Sequence, residues 1–384
     1  MRFLPLILTN FKRHKLRTTL TLLSVIVAFI LFGYLAAIGK AFDLGVSIAG
    51  QDRLIVRHKV SLIQLLPASY EADMEKIEGV ANATHSTWFG GVYQEPRNFF
   101  AQMAVEPDEF MEMHPEFVLP ADQRKAWEAT KTGAVVGRVT AERFGFKVGQ
   151  KVPLQATIWR PKSGGSSWTF DLVGIFDGAT KETDTSGFLF RSDYLQENNV
   201  WGEGLVGWYI IRVTDPARAE EVAKKIDEQF ANSPAETKTE SEGAFLKAFA
   251  EQMGNIGAII RAILTAVFFT ILLVAGNTMA QSVRERISEL GVMKAIGFSD
   301  AQVLAFVLIE SLLIAVVGGA IGLVIAWFAI AGGDPTGGAL PVFFFPPADI
   351  VLGVIFAIVL GLVTGAIPAW QAMRLNPVEA LRRE

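Results

Sequence analysis

Four apolar runs interrupt an otherwise mixed chain, at residues 18–39, 256–280, 303–330 and 350–370. Each holds about 20 residues or more, enough at ~1.5 Å per residue to cross a hydrocarbon layer of about 30 Å. Between the first two runs the pattern changes to short alternations and amphipathic stretches. Residues 53–57 (Arg-Leu-Ile-Val-Arg) alternate like a strand, 70–77 read as a helix behind Ser69, and 79–88 and 101–105 read as strands. Gly133-Ala-Val-Val-Gly137 reads as a strand entering a helix that ends near Phe144. Residues 151–159 and 168–176 flank a Pro161-Lys-Ser-Gly-Gly165 hairpin signal. A strand is predicted at 208–213 and a helix from Asp215-Pro216 to Phe230. Residues 240–252 form a helical pattern that runs into the second apolar run without a Gly or Pro break between Ala244 and Met253. The expected fold is an α-helical membrane protein with four transmembrane helices, plus an α+β domain, residues 43–255, inserted between helices 1 and 2.

Charge gives the expected orientation. Lys12, Arg13, His14, Lys15 and Arg17 precede the first run; Arg284, Arg286 and Lys294 follow the second; Arg374, Arg382 and Arg383 follow the fourth. The loop 331–349 has no Lys or Arg and carries Asp334. By the positive-inside rule, the basic segment 1–17, the loop 281–302 and the tail 371–384 face the cytoplasm, while 331–349 and the large domain face outward. Lys40-Ala-Phe-Asp43 is a poor signal-peptidase site, so the first run reads as an anchor.

Composition narrows the function. Charged residues are 19% of the chain against about a quarter in soluble domains, and mean hydropathy is +0.35. A net charge of −4 argues against nucleic acid as a partner. With no cysteine, disulfides and thiolate chemistry are excluded. The four histidines (14, 58, 85 and 114) lack metal-ligand spacing, so no metal is expected. The phosphate-binding pattern Gly-x-x-x-x-Gly-Lys-[Ser/Thr] does not occur, nor does a Gly-x-Ser-x-Gly elbow. No catalytic residue and no cofactor of the chain's own are expected.

Other residues stand out. Gly318/Gly322 and Gly361/Gly365 lie four apart, the spacing of close helix packing. Glu310 lies inside the third run, where a carboxylate points either to function or to a bond with a neighbouring helix, and Asn277 is the expected partner. The aromatic stretch 88–93 with 98–100 reads as core or as a partner surface. Residues 284–298 (RERISELGVMKAIGF) form a charged, helix-prone segment between two spanning runs, suited to specific contact with another protein. Leu290, Met293 and Ile296, at i, i+3 and i+6, read as a stripe able to enter a groove.

The stretch 285–297 (ERISELGVMKAIG) resembles the signature after the second membrane helix of permeases in the MacB/LolC/FtsX class. Residues 367–382 (IPAWQAMRLNPVEALR) resemble that family's end, and 136–149 (VGRVTAERFGFKVG) an element of its periplasmic domain. The resemblance implies an inner-membrane permease subunit of a mechanotransmission ABC transporter, its large domain periplasmic. It implies a second permease copy, identical or not, and a cytoplasmic ATPase dimer that binds ATP and Mg. It also implies, in tripartite members, an adaptor and an outer-membrane channel. The coupling residues it implies are Arg284, Glu285, Arg286, Glu289, Leu290, Met293, Lys294, Ala295, Ile296 and Gly297. Export or extraction of a substrate is the expected function. The alternatives are an FtsX-like transmitter acting on a cell-wall hydrolase, and lipoprotein release of the LolC type.

Overall fold

A computed structural model describes residues 15–47, 50, 52–98, 100–252, 256–333 and 343–376. Two compact units emerge, one formed by the long apolar helices and one by the segment that separates the first two of them.

The separating segment is an α+β unit on one mixed sheet. Its strands are β1 (Arg53–His58), β3 (Val80–Trp88), β4 (Gly91–Val92), β5 (Gln102–Val105), β6 (Phe117–Val118), β7 (Gly133–Gly137), β8 (Lys151–Ala156), β9 (Ser167–Gly178), β10 (Phe188–Arg191), β12 (Trp208–Val213) and β13 (Thr237–Ser241). They run in the order β13-β1-β12-β3-β5-β10-β7-β9-β8-β4, with β6 on β9; β2 (Leu66–Pro67) and β11 (Leu205–Val206) form a separate ribbon. The β5–β10 and β7–β9 pairs are parallel and the others antiparallel. Around the sheet lie α2 (Tyr70–Met74), α3 (Pro107–Met113), α4 (Ala121–Ala129), α5 (Arg138–Phe144), α6 (Ser192–Asn198), α7 (Ala219–Gln229) and α8 (Glu242–Gln252).

Alternation explains the sheet's burial. Along β9, Trp168, Phe170 and Leu172 are buried, and Phe188 and Phe190 of β10 pack beside them. Phe89 meets the Phe190 ring edge-on at 5.3 Å, an arrangement that aromatic quadrupoles favour. The aromatic stretch read as core or surface is core: Phe89, Tyr93 and Phe100 are buried, while Phe99 lies outside the described residues.

The end of this unit departs from expectation. Glu240 sits in edge strand β13, not in the helix, which starts at Glu242. Thr-Lys-Thr-Glu-Ser carries no apolar alternation because helix α7 satisfies its outer edge: Asp227 accepts hydrogen bonds from the hydroxyls of Thr237 and Thr239 and from the Thr239 amide, at 2.9, 2.8 and 3.0 Å. Helix α2 ends at Met74, and the Ser69 side chain does not cap it. The expected junction between α8 and the second span crosses 253–255, outside the described residues.

Among the described residues, the other unit contains four helices long and apolar enough to cross a membrane: α1 (Lys15–Ser47), α9 (Ile256–Glu285), α11 (Asp300–Ala331) and α12 (Pro347–Met373). The paired glycines find their partners within the chain. A Cβ on Gly318 would lie 2.8 Å from Val25 and one on Gly322 2.6 Å from the Ile26 carbonyl, both on α1. On Gly361 and Gly365 it would lie 2.8 Å from Leu312 Cα and Ser311 Cβ of α11. Backbones thus touch where side chains would hold them apart. The Ser311 hydroxyl donates to the Gly361 carbonyl at 2.8 Å, and the Thr364 hydroxyl to its own helix at Leu360, so both stay satisfied in an apolar layer.

Candidate coupling site

Between α9 and α11 the chain makes a separate short helix, α10 (Ile287–Ala295). Arg286 leaves helical geometry at φ −113° and ψ 18°, which ends α9 and lets the chain change direction. Gly297 ends α10 at φ +105°, where a side chain would be strained. Its amide bonds the Lys294 carbonyl, and the Phe298 amide bonds that of Met293, both at 3.1 Å. This is a Schellman closure, with Phe298 packing beside Met293. Next, Ser299 and Gln302 exchange side chain to backbone bonds, at 3.3 and 2.9 Å, and start α11 with a capping box.

A buried arginine and a half-buried lysine hold the element. Arg286, 7% exposed, donates from Nη1 to Glu310 Oε2 at 2.8 Å and from Nε to Glu289 Oε2 at 3.1 Å. Its guanidinium also lies 5.4 Å from the centre of the Phe306 ring. Lys294 donates from Nζ to the carbonyls of Met373 and Leu375, at 2.8 and 2.7 Å, and pairs with Asp300 at 2.8 Å. Between these anchors Leu290 is buried with Val283, Val303, Phe306, Val307, Ala369 and Ala372, and Met293 packs against the same cluster.

The expected site therefore divides in two. Arg286, Leu290, Met293, Lys294 and Gly297 build the element. Arg284, Glu285, Glu289 and Ala295 are exposed, as are Val292 (46%) and Ile296 (71%). The expected stripe of Leu290, Met293 and Ile296 does not exist as one face. Three residues fall about 60° short of a full turn, so Ile296 points some 120° away from Leu290, and it lies past the last helical residue. Asn277 is not the partner of Glu310 either: it is exposed on α9, and Arg286 takes that carboxylate. Asp300, Phe306 and the carbonyls at the end of α12 were not singled out from sequence. Only the Ser299-x-x-Gln302 pattern carried a local signal for this corner. The exposed surface mixes two aliphatic side chains with both signs of charge.

Residues 261–377, from α9 past the end of α12, match the FtsX-like permease C-terminal family. An uncharacterized ABC transporter permease of Methanocaldococcus jannaschii is 22% identical over 98% of this chain and 96% of its own length. The macrolide export ATP-binding/permease protein MacB of Campylobacter fetus subsp. fetus is 37% identical over 28% of this chain, which spans 17% of that protein. The crystal structure of the periplasmic region of MacB from Actinobacillus actinomycetemcomitans aligns at a TM-score of 0.37 and 9% identity, covering 52% of this chain and 94% of that region.

Proposed function

We propose that this chain, whose residues 261–377 match the FtsX-like permease C-terminal family, is an ABC transporter permease of the MacB/FtsX type that works beside a separate cytoplasmic ATPase dimer. That dimer binds ATP and Mg and docks on the exposed face of α10. Closure of the dimer loads α10, shifts the spanning helices and moves the α+β unit, which faces the far side of the membrane, to export a substrate or extract it from the bilayer or the space beyond. A second permease copy completes the complex.

The observation that carries this reading is an outward Val292–Ile296 surface on a helix whose other side is anchored internally. Two exposed aliphatic side chains on a segment that also exposes Arg284, Glu285, Ser288 and Glu289 have the composition of a small specific contact, apolar and charged side chains together. The test is affinity purification of the tagged chain from membranes in mild detergent, with Val292→Asp and Ile296→Asp alongside. A P-loop ATPase is expected with the parent and should be lost at least tenfold from both variants, with insertion unchanged. Equal recovery with the variants would remove α10 as the docking face. An adaptor or a periplasmic carrier recovered with the parent would separate efflux from lipoprotein release.

A further inference from the structure

We propose that Glu310 is a positioning residue: through Arg286 it fixes α10 to α11, so that a load on α10 enters the α11–α12 pair before it reaches α9. This rests on the docking role given to α10 above. Chain order suggests the opposite route, since only Arg286 separates α10 from the end of α9. The attachments run elsewhere. At its start α10 is held by the 2.8 Å Arg286–Glu310 pair, with Phe306 of α11 against the guanidinium. At its end Lys294 grips Asp300 of α11 and two carbonyls at the close of α12. In the middle, Leu290 shares a buried cluster with Val303, Phe306 and Val307 of α11, Ala369 and Ala372 of α12, and Val283 of α9.

Three anchor points on two helices fix both the position and the direction of a short rod. The connection to α9 is a single turn at Arg286, where the backbone is no longer helical and can act as a hinge. From α11 the onward contact is stiff, because Gly318 and Gly322 seat directly on Val25, Ile26 and Phe29 of α1 with no side chain of their own to deform. Glu310 lies about 15 Å into α11 at 1.5 Å per residue, is 4% exposed and is engaged by a guanidinium. That placement suits a fixed anchor and gives no open path for carrying protons.

The chain lacks cysteine, so spin labels can be placed at two sites alone: Val292→Cys on α10 and Ile309→Cys on the exposed side of α11. With the full chain in lipid nanodiscs, one narrow distance distribution is expected. Glu310→Gln should widen it at least twofold, and the exchanged pair Arg286→Glu/Glu310→Arg should narrow it again. An unchanged width in Glu310→Gln overturns the proposal, and no partner protein is needed to see it. In the complex with its co-purified ATPase, Glu310→Gln should retain the ATPase but lose at least fivefold of the stimulated hydrolysis. Full stimulation also overturns the proposal. If no ATPase accompanies even the unaltered chain, the docking reading fails instead, and the distance measurement still decides whether Glu310 holds α10.

Discussion

Each unit buries an arginine against two carboxylates, and the settings differ. In the α+β unit Arg53 pairs with Glu116 and Glu242, both at 2.6 Å, and also donates to the Met113 carbonyl at 2.8 Å. The guanidinium is almost closed to solvent while its carboxylates keep 20% and 13% of their surface. In the membrane unit Arg286 has one carboxylate as buried as itself, Glu310, and one nearly half exposed, Glu289. Arg53 ties the first residue of α8 to the sheet; Arg286 ties α10 to α11. Beside Arg53 the rings of Phe110, His114 and Phe117 stack, and among the spans Phe32, Phe268 and Phe356 meet edge-on, but only the membrane unit adds tight glycine seats and interhelical hydroxyls to its apolar cluster. Where water drives burial, large side chains supply the area; in lipid, close backbone approach and satisfied polar groups contribute beside them. A buried arginine fixes a helix in both settings because its charge cannot be left unpaired in either.

That comparison breaks first at Arg53. Arg53→Met strands two carboxylates and should cost about 3–5 kcal/mol, seen as earlier thermal unfolding of the full chain in detergent by tryptophan fluorescence. A cost below ~1 kcal/mol would mean the pair is only a surface bridge. Gly322→Val, whose new atoms meet the Ile26 carbonyl, should cost about 1–3 kcal/mol through overpacking. Gly276→Val on α9, where nothing lies within 4 Å, should change little. If both are tolerated alike, the glycine contacts are incidental.

Acid sharpens the contrast. Burial alone would raise the Glu242 carboxyl, but the His114 ring 3.8 Å away and the Arg53 guanidinium outweigh it and hold it below the ordinary carboxylate range. Stabilisation from a lowered carboxyl is complete above the unfolded value, about 4.3, and is lost as pH falls through the lower folded value. Unfolding of the α+β unit should therefore be flat from neutrality to about pH 5 and ease below it, with Glu242→Gln flattening that acid limb. The smallest effect is expected at Ser311→Ala, where one interhelical hydrogen bond is worth about 0.6 kcal/mol.

The four spans were legible because hydropathy over some twenty residues needs no tertiary information. Strand β9 was legible through its apolar alternation and β1 as a short apolar run, buried on both faces, for the same reason. Strand β13 was not, since it carries no apolar alternation: it pairs with β1 on one edge, and an aspartate on α7 takes the other. Arg286 and Glu310 each drew attention singly, but the chain turns twice over the 24 positions that separate them, and no local pattern encodes that meeting. The glycine pairs announced close packing without saying against which helix. Within α10 the apolar positions were right and the geometry was not: a spacing of three drifts around the helix, so Leu290 turned inward and Ile296 outward.

Lys294 gives the assembly a clock. The carbonyls it holds belong to residues made as many as 81 positions later. A chain stopped before the close of α12 lacks those two carbonyls, and the end of α10 then keeps only the Lys294–Asp300 pair. Completion of the last span is thus written into the corner that joins α10 to the end of α12.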